Sequence, residues 1–137
     1  MGNIDYAVWT PRVLSLLRIV AGLLFLEHGT QKLLGFPPSA NPAAPLPAFA
    51  ALPLLMQVQG CIEAFGGVLI VIGLFTRPIA FILCGDMAVA YYMSHFPRNF
   101  FPILNGGDAA ILYCFVFLFL AVAGGGAWSA DKARQGD

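Results

Sequence analysis

Residues 13–34, VLSLLRIVAGLLFLEHGTQKLL, decide how the rest of the chain is read. The stretch is long enough to cross a bilayer, because about 20 residues rising about 1.5 Å each cover a hydrocarbon core of roughly 30 Å. Yet it carries Arg18, Glu27, His28, Gln31 and Lys32. An ionised side chain at mid-bilayer costs several kcal/mol unless it is paired, hydrated or turned toward protein. On a helical wheel Arg18, Gly22, Phe25, Gly29 and Lys32 share one stripe, His28 lies at its edge, and Glu27 points to nearly the opposite side. A helix with polar groups in more than one direction belongs against several neighbours. It reads as the central polar helix of a small membrane bundle.

Composition agrees. Of 137 residues, 59% are hydrophobic and 10% charged, and the mean hydropathy is +0.80, whereas an average soluble domain is about 25% charged. The length suits a single domain over 1–137. Formal net charge is zero, with no basic or acidic block, which argues against nucleic acid as a partner. The polar opening and the missing small-residue cleavage site predict that the first span is retained and is not a secretory signal. Cys61, Cys84 and Cys114 each stand in an apolar segment and none forms a C-x-x-C pair, so they read as small buried hydrophobes, without dithiol chemistry between adjacent thiols.

Four spans follow in order, at about 13–34, 54–75, 79–95 and 105–123, making an all-α integral membrane four-helix bundle. Residues 35–53 form a Pro-rich outer loop whose five prolines before Leu52 rule out a regular helix, while Phe36, Leu46, Phe49 and Leu52 suit it to the membrane surface. Thr76, Arg77 and Pro78 read as a tight turn joining spans two and three into an antiparallel hairpin. Residues 96–104, FPRNFFPIL, form an aromatic connector at headgroup level. Asn105, Gly106, Gly107 and Asp108 open the fourth span with a turn and cap signal; residues 124–126, GGG, stop it, and a polar tail follows. Arg12, Arg77, Lys132 and Arg134 fall on one face, Lys32 and Arg98 on the other, which predicts both termini in the cytoplasm and a multi-pass inner-membrane protein. Polar groups then converge from all four helices in the outer half, with Arg18 and Asp86 apart from them and suited to pair with each other. In the second span Gly60, Ala64 and Gly67 form a small-residue seam, beside a stripe of Glu63, Gly66, Ile70 and Gly73, where helices approach closely; a homo-oligomer through that seam is one expectation.

The chain resembles the DoxX family of small four-span membrane proteins. The resemblance is carried by LLRIVAGLLFLEHGTQKL (16–33), EAFGGVLIVIGLFTRPIA (63–80), NGGDAAILY (105–113) and GGGAWSAD (124–131). The family pattern usually ends Gly-Pro-Gly-x-x-Ser-x-Asp, and here Gly125 stands where proline is common. The resemblance implies the fold and a membrane setting. It also implies association with sulfur and quinone oxidoreduction, and assemblies with soluble redox enzymes.

The residue chemistry leaves several functions open. The first is a redox-associated protein binding a quinone-like molecule, in a pocket lined by Phe25, Phe65, Tyr91 and Tyr92. Glu63 and His28 would be its proton-handling, catalytic pair. Glu27, Lys32, Gln59, Tyr91 and His95 would bind the ligand, and an Arg18–Asp86 ion pair would hold helix packing. A metal or haem site would draw on His28, His95, Glu27 and Glu63, but no Glu-x-x-His repeat of the di-iron kind occurs, so no metal residue is assigned. A non-enzymatic anchor or assembly subunit for a redox partner fits a bundle with a minimal tail. A small transporter-like oligomer fits the buried charge, although no inverted repeat of broken helices is visible.

Overall fold

Asp5 starts the first helix: its carboxylate accepts from the backbone N–H of Ala7 at 3.0 Å, a side-chain N-cap. The structure, a computed structural model, describes residues 5–43, 45 and 47–136. Helix α1 runs Tyr6–Leu34, beginning well before the expected residue 13. Pro11 sits inside it near the end, where the lost backbone donor affects only the first turns, and its carbonyl is used twice over, by the Ser15 hydroxyl at 2.9 Å and by Ala127 N–H at 3.0 Å. Gly35, at φ 67°, closes α1 in the left-handed conformation that glycine adopts without Cβ strain. The Pro-rich segment that follows is irregular except for a 3-10 turn at Phe49–Ala51. Leu52 is buried, Phe49 half-buried and Phe36 exposed; Leu46 lies outside the described residues.

Helix α2 spans Leu54–Ile72 and ends at Gly73, φ 74°. The chain then reverses through residues 73–75, with Phe75 itself at φ 51°. Helix α3, Thr76–Ala90, therefore already contains Thr76, Arg77 and Pro78, so these residues are its first turn and not the connecting turn. Proline is tolerated there because first-turn N–H groups have no partner within the helix. A π-helical turn, Tyr91–His95, continues α3. Helix α4, Pro102–Asn105, ends at Gly106, φ 70°, and this glycine delays the main fourth helix, α5, to Asp108–Ala123. The tail is not simply polar coil: Ser129 caps a short helix α6, Ala130–Gln135, accepting from Lys132 N–H at 3.2 Å.

The helices pack as two close pairs, α1 with α2 and α3 with α5, joined through α2 and α3; α1 and α5 touch only lightly. Glycine makes the first pair possible. A Cβ on Gly29 would stand 2.3 Å from the Ala64 backbone nitrogen, and one on Gly67 2.9 Å from the Leu26 Cα. The stripe Arg18, Gly22, Phe25 and Gly29 is the buried face of α1, and the seam Gly60, Ala64 and Gly67 is filled by α1 of the same chain. That occupation corrects the expectation of a dimer through the seam. Phe25, Ile70, Leu83, Met87, Phe117 and Leu120 form the apolar centre, with Phe25 edge-on to Phe117 at 4.8 Å.

Polarity is distributed in the opposite sense to a soluble protein. Arg18, Glu63, Ser15, Thr76 and Asn105 are buried, while Leu16, Val20, Phe65, Phe81, Phe115 and Phe119 face outward. Water would penalise so continuous an apolar surface; hydrocarbon does not. Helices α1 and α2 are each long and apolar enough to cross a membrane, and α5 is a shorter apolar helix.

Candidate functional site

Lys32 and Glu63 form the polar centre of the loop end of the bundle. The ammonium lies 2.6 Å from each carboxylate oxygen, with the two side chains 19% and 3% exposed. Local sequence explains the meeting. Gly60 leaves room for the Lys32 stem, since a Cβ there would stand 3.0 Å from the Lys32 Cβ, and Glu63 follows one turn along the same face of α2. Asp86, half-buried on α3, joins them: its polar neighbours are Glu63, Lys32 and Gln59. Its Oδ2 is buried and has no hydrogen-bond partner among the described residues. The cluster thus holds two carboxyl groups against one ammonium. A buried acceptor left unpaired costs about 1–3 kcal/mol, so Oδ2 is a place for a proton or for a donor brought by a ligand.

The expected residues do not all meet here. Glu63 pairs with Lys32 and not with His28. His28 sits on the α5 flank of α1, exposed, with its ring edge-on to Tyr113 at 6.2 Å, while Lys32 four residues later reaches across Gly60 to α2. Glu27 is exposed on the same helix. Tyr91 and His95 form a separate brace at the rim: the rings stack at 6.3 Å, His95 Nδ1 meets the Asn105 carbonyl at 3.0 Å, and the Asn105 amide donates to the Asn99 carbonyl at 2.8 Å. Phe25 is locked in the core, whereas Phe65 and Tyr92 are 69% and 68% exposed. The single aromatic pocket expected from these four residues is therefore divided between core, rim and outer surface.

Arg18 corrects another expectation. Its guanidinium does not pair with Asp86. It donates to the Gly125 carbonyl at 2.8 Å, to the Trp128 carbonyl at 2.6 Å, and to the carbonyls of Ile70 and Val71 at the end of α2. Helix ends leave such acceptors without intrahelical donors, and a guanidinium presents five N–H groups in a fixed fork. The carboxylate that bears on it is Asp131, since Asp86 stands toward the loop end, with Lys32 and Glu63. Trp128 N–H donates to the Ser15 hydroxyl at 3.0 Å, so the tail is tied to α1 beside the arginine.

Asp131 completes this terminal end, a placement that hydropathy and charge counts do not point to. Its carboxylate accepts from the backbone N–H groups of Phe75 and Thr76, both at 2.7 Å, capping α3 from the far end of the chain. Partial burial works to raise its pKa, but these two backbone donors and the nearby Arg134 prevail and hold the carboxyl below the usual carboxylate range. The available signal is the Ser-x-Asp of residues 129–131, a cap residue followed by a first-turn acid. Arg77, expected as a topology anchor, also donates to the Val122 carbonyl at the end of α5. A cleft of about 650 Å³ lies between these residues and α6.

The cysteines hold a contact that their spacing does not announce. Cys84 on α3 and Cys114 on α5 face each other with Sγ atoms 3.6 Å apart. Thirty positions of sequence conceal an adjacency that helix packing creates. Cys61 stands apart on α2, and all three thiols are free and half-buried.

Comparison with known proteins supports the membrane reading. The family model described as DoxX matches residues 13–96. A Haemophilus influenzae (strain Rd) protein bearing the name "Uncharacterized protein" is 42% identical over 138 residues, 96% of each chain. The Escherichia coli K12 protein named "Inner membrane protein YphA" is 28% identical over 137 residues, covering 93% of this chain and 94% of its own. No solved structure matches the chain.

Proposed function

The chain belongs to the DoxX family, and from that premise we propose that it is a redox-associated membrane protein binding a quinone-like molecule at the Lys32–Glu63–Asp86 cluster. The observation that carries the reading is the buried, unpartnered Oδ2 of Asp86 beside a buried ion pair. A quinone, when bound, supplies two-electron, two-proton chemistry. The chain's part is to bind, orient and move protons. Lys32 has three N–H donors, of which the Glu63 oxygens take two, and the third suits a carbonyl oxygen. Asp86 Oδ2 is the proton-carrying atom, Gln59 orients its carboxyl, and Glu63 keeps the ammonium in place.

This reading includes four crossings with both ends in the cytoplasm. The chain ends meet at one end of the bundle, where Ala127 N–H donates to the Pro11 carbonyl. Arg12, Arg77, Lys132 and Arg134 lie there, against Lys32 and Arg98 toward the other end.

Binding of a short-chain ubiquinone to the detergent-solubilised protein, followed by titration calorimetry, tests the assignment. Asp86→Asn and Lys32→Met are expected to weaken binding at least tenfold while the protein remains folded. Unchanged affinity in both variants contradicts the assignment. A second reading, an assembly subunit for a redox partner, is favoured by Glu27, whose carboxylate is exposed on a membrane helix and calls for a polar neighbour. In that case Glu27→Leu abolishes co-purification of the partner and leaves quinone affinity alone.

A further inference from the structure

We infer that Cys84 and Cys114 are a redox pair, oxidised to an intramolecular disulfide by a lipid-soluble two-electron oxidant. The two Sγ atoms stand 3.6 Å apart across the α3–α5 seam, and a disulfide requires about 2.0 Å. The remaining distance is within the reach of χ1 rotation if the backbones are close enough. Close-packed helices meet that condition: axes roughly 8–10 Å apart, with Cα atoms on cylinders of about 2.3 Å radius, bring directly facing Cα atoms to roughly 3.4–5.4 Å. The range that disulfides span is about 4.4–6.8 Å. The seam is a close one, because α3 and α5 form one of the two tightly packed helix pairs of the bundle.

Position tells which oxidant can arrive. Both thiols are half-buried, not sealed in the core, and their neighbours on the same helices, Phe81, Ile82, Phe115 and Leu118, face outward into the apolar surface. The pair is therefore approached from hydrocarbon and not from water. In the reaction each thiol gives up its proton and one electron, and one S–S bond forms. The two electrons and two protons pass to the oxidant, converting a quinone to its hydroquinone or an organic hydroperoxide to an alcohol and water. The two oxidants share this chemistry and are separated by the test. The third thiol, Cys61, is on α2 with no sulfur partner among the described residues and serves as an internal control.

The same geometry distinguishes this pair from ordinary buried cysteines. Two cysteines acting only as small hydrophobes have no need to share a contact, and here each is the nearest sulfur to the other across two different helices.

The experiment uses the full chain, reduced, in lipid nanodiscs. Samples receive decylubiquinone, cumene hydroperoxide or neither; free thiols are then alkylated in denaturant, and the peptides are mapped by mass spectrometry. With at least one oxidant, the expected result is that alkylation falls from three thiols to one, that the remaining label is on Cys61, and that a Cys84–Cys114 peptide appears and is lost again on treatment with dithiothreitol. Decylubiquinone alone succeeding identifies the quinone as oxidant, and cumene hydroperoxide alone identifies the peroxide. Cys84→Ala and Cys114→Ala should each keep two alkylated thiols under the same treatment. Three alkylated thiols after both oxidants overturn the inference, as does a disulfide that joins separate chains through Cys61. The measurement on the unmutated chain stands even if a variant fails to fold, and it is independent of whether quinone binds at Asp86.

Discussion

Arg18 shows how a single residue can be legible as important while its partners stay hidden. Its cost in a membrane helix marks it as protein-facing, and it is fully buried. The opposite charge on Asp86 is the visible candidate for a partner, yet the guanidinium is held by four main-chain carbonyls, which every residue possesses and which leave no mark in a sequence. Arg18→Met should therefore lower thermal stability severely, on the order of 1–3 kcal/mol for each carbonyl left dry, as measured by melting in detergent. Arg18→Lys should recover only part of the loss, because one ammonium cannot serve four acceptors in fixed directions. An Arg18→Lys protein as stable as the parent would contradict the assignment. Asp131 carries a pH dependence. Its pKa is depressed in the folded protein, so the unfolded chain binds the proton more readily and the stabilisation is present in full above the ordinary carboxylate pKa. As pH falls through the folded pKa it is lost. Asp131→Ala should cost about 1 kcal/mol at neutral pH, as removal of a helix cap does, and should flatten the acid limb of the melting profile.

Helices are the most readable elements, because apolar runs of bilayer length leave few alternatives. Their ends are less so. The start of α1 at Tyr6 depends on Asp5 as a cap, and the delayed start of α5 depends on the positive φ of Gly106; both are local backbone matters outside hydropathy. The fold of the tail into α6 rests on bonds to residues more than fifty positions away, from Asp131 to Phe75 and Thr76, and periodicity cannot reveal those. The small-residue pattern of α2 is visible, but its occupant is not: α1 covers it, with Gly29 against Ala64. Gly29→Leu should force α1 and α2 apart and prevent accumulation of monodisperse protein in size-exclusion chromatography. The same change at Gly85, where an added Cβ meets nothing within 4 Å, should be tolerated. Equal behaviour of the two variants would count against the close α1–α2 contact as the organising interface.

The molecule as a whole is a helical membrane bundle with a polar cluster toward each end. At the terminal end the charges hold the scaffold together, with Arg18 and Arg77 taking main-chain carbonyls and Asp131 taking helix amides. Toward the loop end, the buried Oδ2 of Asp86 lacks a hydrogen-bond partner among the described residues, as does the Thr76 hydroxyl at the terminal end; what marks the candidate site is that its unpartnered atom belongs to a carboxyl beside a buried ion pair. Glu63, Lys32 and Gln59 are recognisable as candidates from residue type and depth alone. Depth and type cannot bring Asp86 to them or remove His28, Tyr91 and His95 from them, since those placements are set by how four helices turn against one another. For topology, a C-terminal fluorescent-protein fusion should fluoresce and an alkaline phosphatase fusion at the same point should be inactive; the reverse would place the termini outside. The most direct test of the central claim is organic extraction of the protein purified in mild detergent, with added ubiquinone restored before a final wash and the quinone quantified against protein. The account predicts close to one quinone retained per chain and far less in Asp86→Asn. Equal, trace retention by both proteins, with the fold intact, would contradict it.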